Sequence, residues 1–314
     1  MKNIKVIYIA GVGRSGSTIL DRILGTLEGV SSFNEIYRIW LEGFQHNFHC
    51  SCGQRFKECS FWMSVAAEGM NEQLDIEKIL MLQHSVDHSR HFLKLFTGIY
   101  DSDFEKKLTE HREWLQKLYF ALAKTSGNQI IVDSSKVPSR ALILSGIQGI
   151  EVHVIHVVRD LRAVVHAWQK EKYIPETGGA LPQFSPVRAI LAWKMRNIFC
   201  ELLASKLPYT RILYEDFARN PRTVLQQLVD RLEPTAGQTL SFVNENSIHL
   251  RPIHTIAGNP QRFSSGVTKV RLDSNWKSQL EPRTRNLATF LAYPLLSRYG
   301  YLKKDAPVDL VPVP

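Results

Sequence analysis

The sequence is poor in long apolar runs and in cysteine. No stretch of its 314 residues approaches the roughly 18 uninterrupted apolar residues that a membrane-spanning helix needs. A short apolar run follows Lys2 and Lys5, but it ends in glycines rather than at a small-residue cleavage site, so no signal peptide is expected. There are four cysteines, too few for a dense disulfide framework. These absences lead us to expect a soluble, cytoplasmic protein.

Compact basic runs, nucleic-acid motifs and internal repeats are also lacking, although the chain is basic overall. The formal net charge is +9 and the pI is about 9.4. This balance is compatible with an anionic ligand or acceptor, and equally with a simply basic surface. Hydrophobic residues make up 44% of the chain, which is enough for the core of one large α/β domain.

The most informative stretch lies close to the N-terminus. Residues 4–10 are apolar and largely β-branched, which predicts a short buried strand. A glycine-rich segment, residues 11–18, follows at once, and apolar residues then recur at helical spacing from near Ser17. Strand, glycine-rich turn and helix together form a phosphate-binding arrangement, because the free N–H groups at the helix start face the anion.

This turn departs from a Walker A loop, which reads G-x-x-x-x-G-K-S/T. Gly11 and Gly16 fit that spacing, but Ser17 occupies the position of the lysine, and the cation lies earlier, at Arg14. The loop can still hold a phosphate through its backbone amides and the hydroxyls of Ser17 and Thr18. The alternative is a nucleotide kinase or ATP-binding protein. The missing lysine and the lack of an evident Mg²⁺-binding acidic motif both argue against it.

Further strand–helix units are predicted downstream. Residues 129–133 form a second apolar strand before Lys136, and residues 151–158 form a third, which runs into Arg159, Asp160 and a helix. This alternation predicts an α/β fold with a central parallel sheet flanked by helices. We expect one domain over residues 1–304, with a helical insertion at about 40–126, a loop at 175–188 and a disordered tail at 305–314.

Two segments carry a family resemblance. GVGRSGSTIL at residues 11–20 resembles the 5′-phosphosulfate loop of sulfotransferases that use 3′-phosphoadenosine 5′-phosphosulfate (PAPS). VVRDLRAVVHAW at residues 157–168 resembles the 3′-phosphate motif of the same enzymes, with weaker matches near residues 214–221 and 258–277. The likeness is to bacterial members, similar to the carbohydrate and tyrosylprotein branch, and it implies a P-loop-like sheet with the helical insertion covering the acceptor side.

The resemblance also implies a function and a set of site residues. The function is transfer of a sulfuryl group from PAPS, without a metal, to a hydroxyl of a carbohydrate or small-molecule acceptor. The catalytic residues implied are Glu35 as the base toward the acceptor, with Arg14 and Lys136 offsetting charge. The residues implied to bind the nucleotide are Gly13, Arg14, Ser15, Gly16, Ser17 and Thr18 at the 5′-phosphosulfate, Arg159 and Arg262 at the 3′-phosphate, Phe263 in the loop that closes on the nucleotide, and Tyr214 near the adenosine.

One position departs from the family pattern. Many relatives carry a serine on the 3′-phosphate eight residues after the motif's arginine, whereas this chain has Ala167. One phosphate contact is therefore in doubt, and Arg162 or His166 is a candidate to replace it in part. The segments expected to line the acceptor pocket show no sequence pattern that identifies the acceptor.

A cysteine-containing segment, residues 46–62, allows several interpretations. Cys50, Cys52 and Cys59 have His46 and His49 nearby, but the spacing lacks the C-x₂-C pairs of a typical zinc ribbon. Structural thiols, a disulfide and a metal site all remain open.

Overall fold

The computed structural model describes residues 3–70, 74–171, 173–174, 179–180, 183–235, 237–244 and 247–303. The tail at 305–314 lies outside this range, so that prediction is not tested. Residues 175–178 and 181–182 of the expected loop also lie outside it, and the loop ends earlier than residue 188 because a helix begins at Pro186.

The strands of the described residues pair into one larger sheet and two small ribbons. They are β1 (Ile4–Gly11), β2 (Val30–Ser32), β3 (Ile130–Lys136), β4 (Ile150–Val158), β5 (Tyr173–Ile174), β6 (Gly179–Ala180), β7 (Tyr209–Leu213), β8 (Ser247–Leu250) and β9 (Gly266–Lys269).

The α-helices of the same ranges are distributed along the whole chain. They are α1 (Ser17–Leu24), α2 (Ser60–Gly69), α3 (Ile76–Val86), α4 (Phe92–Thr97), α5 (Ser102–Ser126), α6 (Pro138–Ser145), α7 (Leu161–Gln169), α8 (Pro186–Leu203), α9 (Tyr214–Arg219), α10 (Pro221–Arg231), α11 (Trp276–Gln279), α12 (Pro282–Leu291) and α13 (Tyr293–Arg298). Short 3₁₀ turns and a π-helical segment at Ile39–Gln45 complete the regular structure.

The larger sheet has five parallel strands in the order β2-β3-β1-β4-β7. β1 lies at its centre, where Ile7 pairs with Val132 of β3 on one side and with His153 of β4 on the other. The predicted α/β class with a parallel sheet is confirmed. Strand β2 was not predicted, since its three residues are too few to show a periodic pattern.

Helices cover both faces of this sheet, and the alternation of side chains along β1 shows how. Val6 and Tyr8 face a core built with helices α2–α5, whereas Ile7 and Ile9 face a core built with α1, α9 and α10. The expected helical insertion is thus present between β2 and β3 and packs on one face. No helix within the described ranges has both the length and the apolar character needed to cross a bilayer.

Candidate active site

A cavity of about 950 Å³ lies at the carboxyl edge of the five-stranded sheet. Each strand delivers residues to it, because the carboxyl ends of parallel strands meet at one edge. Of the site residues predicted from sequence, those that line it are Gly13, Arg14, Gly16, Ser17, Thr18, Glu35, Lys136, Arg159, Tyr214, Arg262 and Phe263. Segments more than 200 residues apart therefore share one space.

The glycine-rich loop between β1 and α1 forms the floor of the cavity. Gly16 has a φ of 84°, and a Cβ on it would lie 2.6 Å from the Tyr214 ring, so both backbone and packing require glycine. Among the described residues no side chain caps α1, and the first turn of this helix holds no acidic residue. The backbone N–H groups at the start of α1 are therefore available to an anion, with the hydroxyls of Ser17 and Thr18 beside them.

Ser15 belongs to the predicted loop motif but is not among the residues lining the cavity. Its side chain is buried, and its hydroxyl has no hydrogen-bond partner among the described residues. Any contribution from Ser15 to an anion site would come from its backbone.

Arg159 joins the loop to the second predicted motif. It follows β4, and Asp160 next to it caps α7 by accepting a hydrogen bond from the Arg162 N–H. Arg159 Nη1 donates to the carbonyl oxygen of Arg14 at 2.7 Å, and Nη2 lies 3.1 Å from a carboxylate oxygen of Asp273. Its guanidinium also stacks 4.4 Å from the centre of the Tyr214 ring. Arg159 is therefore held by the Arg14 carbonyl, the Asp273 carboxylate and the Tyr214 ring.

Ala167 lines the cavity, but the two candidates to replace the missing serine contact do not. Arg162 is paired with Asp160 at 2.6 Å and stacks on Trp276, while His166 Nε2 lies 3.2 Å from Gln279 Oε1. Lys170, three positions after Ala167, is another cationic residue that lines the cavity.

Glu35 and Lys136 form an ion pair inside the cavity. Lys136 ends β3 with a φ of 67°, and its Nζ lies 2.6 Å from Glu35 Oε1. Burial acts to raise the pKa of Glu35, but Lys136, Arg38 and Arg262 outweigh it and hold that pKa below its ordinary value. Glu35 is therefore ionised at neutral pH and able to accept a proton.

Arg262 and Phe263 reach the cavity from the C-terminal part of the chain. The Arg262 guanidinium donates to the backbone carbonyls of Ile256 and His49 and stacks on the Phe263 ring. Because it helps to lower the pKa of Glu35, its charge acts on the Glu35 part of the cavity. Its predicted contact with a 3′-phosphate stays a prediction.

Several lining residues were missed by sequence reasoning. Trp168 packs against Gly13, lies 4.9 Å from the Arg14 guanidinium and stacks on Phe184, so it forms a wall beside the loop. Asp273, Arg38 and Glu42 also line the cavity. Trp168 is the last residue of the motif at residues 157–168, which was recognised in the sequence. Its place in that motif is the signal that could have identified it as a site residue.

The solved structures similar to this chain include two sulfotransferase domains. The domain of the Synechococcus PCC 7002 olefin synthase is 19% identical, with 98% of each chain covered and a TM-score of 0.47. The domain of the curacin biosynthetic pathway is 18% identical, with 94% of this chain and 98% of that chain covered and a TM-score of 0.47. No protein-family model matches the chain, and no curated protein matches it significantly.

Proposed function

We propose that this protein transfers a sulfuryl group from PAPS to a hydroxyl of a carbohydrate or small-molecule acceptor. The observation that carries the proposal is the hydrogen bond between Arg159 and the Arg14 carbonyl, which joins the two predicted anion-binding segments in one cavity. PAPS is an adenosine with anionic groups on both sides of its ribose, and these two segments offer it two separate anion sites.

The donor would bind with its 5′-phosphosulfate on residues 13–18 and its 3′-phosphate on Arg159. Backbone amides at the start of α1 suit the first group, and the planar fork of an arginine suits the second. Asp273 now occupies the outer edge of Arg159, so the 3′-phosphate would displace its carboxylate. Tyr214, which stacks on Arg159 and packs on Gly16, lies between the two segments.

The acceptor would bind on the Glu35 side, where Arg38, Leu41 and Glu42 continue the cavity wall. Glu35 would take the proton of the acceptor hydroxyl as its oxygen forms a bond to sulfur. The bond between sulfur and the bridging oxygen breaks, and adenosine 3′,5′-bisphosphate leaves with that electron pair. Lys136 and Arg14 would offset the charge that develops on the bridging oxygen.

Calorimetric titration tests the donor half of this proposal. Adenosine 3′,5′-bisphosphate and adenosine 5′-monophosphate form a matched pair that differs only in the 3′-phosphate, and ATP with Mg²⁺ represents the kinase alternative. We expect the bisphosphate to bind more tightly than the other two. Preference for ATP with Mg²⁺, or equal affinity for the matched pair, would contradict the proposal. Labelled PAPS with a cell extract would then identify the acceptor through its labelled product.

A further inference from the structure

We propose that Cys50, Cys52, Cys59 and His254 form a structural zinc site. The fold brings together the three thiols of one segment and a histidine about 200 residues later in the chain. Their sulfur and nitrogen atoms all lie within 4.8 Å of one another. This proposal is independent of the proposed sulfotransferase activity, for which no metal is expected, and it selects the metal site among the interpretations that the cysteine spacing left open.

Three of the distances between ligand atoms are close to those of tetrahedral coordination. Cys52 Sγ lies 3.6 Å from Cys59 Sγ, and His254 Nδ1 lies 3.3 Å from Cys59 Sγ and 3.6 Å from Cys50 Sγ. Zinc bonds of about 2.3 Å to sulfur and about 2.0 Å to nitrogen place tetrahedral ligands about 3.8 Å apart for two sulfurs and about 3.5 Å for sulfur and nitrogen. Four protein ligands leave no open position, which is the arrangement of a structural site rather than a catalytic one.

Local structure holds each ligand in place. A tight turn presents Cys50 and Cys52, closed by an antiparallel bridge between His49 and Arg55, with Gly53 at a φ of 93°. Cys59 immediately precedes α2, so its sulfur lies near the positive end of that helix. The His254 ring stacks on Phe61 with 4.8 Å between ring centres, which fixes the direction of Nδ1.

A disulfide explains the cluster less well. The 3.6 Å between the sulfurs of Cys52 and Cys59 is far beyond the about 2.05 Å of a disulfide bond, and all three cysteines are free. A disulfide would also use only two of three converging thiols and would leave His254 without a role. Three thiols and one imidazole are a known zinc ligand set.

The metal would fasten together two segments that line the candidate active site. Residues 46–48 contribute His46 and Phe48 to the cavity wall, and residues 258–263 contribute the loop that carries Arg262. The two segments already meet beside the cluster, where the Ser51 N–H donates to the Thr255 carbonyl at 2.8 Å and Arg262 Nη2 donates to the His49 carbonyl at 3.2 Å. Zinc would hold this junction in position.

Metal analysis of the untagged, full-length protein purified under reducing conditions tests the proposal. We expect about one zinc per chain for a single closed site. Cobalt added to the metal-free protein should give the intense visible absorption of a tetrahedral site, together with thiolate charge-transfer bands. Absence of stoichiometric zinc combined with no cobalt spectrum would overturn the proposal, as would a Cys52–Cys59 disulfide found by mass spectrometry.

Variants assign the ligands. Cys52→Ser is the first choice because Cys52 is exposed, so its loss disturbs packing least, and His254→Gln is the second. Both should lose the metal, whereas Cys200→Ser, at a buried cysteine in α8 outside the cluster, should keep it. Retention of full zinc by Cys52→Ser and His254→Gln would exclude this ligand set.

Hydrogen exchange supplies a readout that does not depend on folding of any variant. Removal of zinc with a chelator should speed amide exchange in residues 46–62 and 251–263 together, while strands β1 and β4 stay protected. Unchanged exchange in both segments would show that no metal joins them.

Discussion

Arg159 donates a hydrogen bond from Nη1 to the main-chain carbonyl oxygen of Arg14 over 2.7 Å. These residues are 145 positions apart, and each belongs to a different predicted anion-binding segment. Because the carbonyl is part of the loop itself, the guanidinium is tied to the backbone that would hold the 5′-phosphosulfate. The relative position of the two proposed anion sites is therefore fixed by the fold before any ligand binds.

Arg159→Ala should weaken binding of adenosine 3′,5′-bisphosphate by roughly ten- to a hundredfold, since hydrogen bonds to charged groups contribute about 1.5–3 kcal/mol each. Binding of adenosine 5′-monophosphate, which lacks the 3′-phosphate, should change much less. Calorimetry with both ligands on wild type and variant measures the difference. An equal loss for both ligands would remove Arg159 from the 3′-phosphate site.

Asp273→Asn should strengthen binding of the same bisphosphate. The Asp273 carboxylate now pairs with Arg159 at 3.1 Å, so a phosphate must both displace it and approach its negative charge. The amide keeps the shape of the side chain and removes the charge. The gain should shrink at high salt, and titrations at two ionic strengths would show it. Weaker binding by this variant would mean that Asp273 assists the ligand.

Glu35→Gln should lower kcat while leaving nucleotide affinity close to that of wild type. The loss expected for a general base is on the order of 10²–10⁴-fold. Glu42→Gln is a matched control, because Glu42 lines the same cavity and is paired with Arg38. Turnover of Glu35→Gln at the wild-type rate would dismiss it as the base.

Lys136→Met should move the acid limb of the pH–rate profile upward. In the wild type, Lys136, Arg38 and Arg262 hold the pKa of Glu35 below its ordinary value of about 4.3, so Glu35 stays ionised and activity is lost only at more acidic pH. Without Lys136, the effect of burial is less opposed and the pKa rises, so protonation removes the base at a higher pH. Measurement of the residual kcat/KM of Lys136→Met against pH checks this. An acid limb at the same pH as in the wild type would show that protonation of Glu35 does not determine its position.

The beginning of the chain could be predicted well because its signals are local. Strand β1, the glycine-rich loop and the start of α1 follow one another without a gap, and each has its own pattern. The helix after Arg159 was equally readable, with Asp160 as its cap. Such elements depend on neighbouring residues, so the sequence specifies them directly.

The remainder of the site depends on contacts between distant segments. Asp273 shows no pattern that would pair it with Arg159, and His254 gives no sign that it meets cysteines about 200 residues earlier. The spacing of Cys50, Cys52 and Cys59 could not decide between structural thiols, a disulfide and a metal site, because nothing in the sequence links His254 to these cysteines. Ser15 shows the opposite case, because the motif includes it while the fold buries its side chain.

A crystal structure with adenosine 3′,5′-bisphosphate tests the central claim most directly. The account predicts the 5′-phosphate on the backbone amides of residues 13–18 and the 3′-phosphate on the Arg159 guanidinium, with the Asp273 carboxylate moved away. A nucleotide bound elsewhere, or one whose 3′-phosphate makes no contact with Arg159, would contradict it.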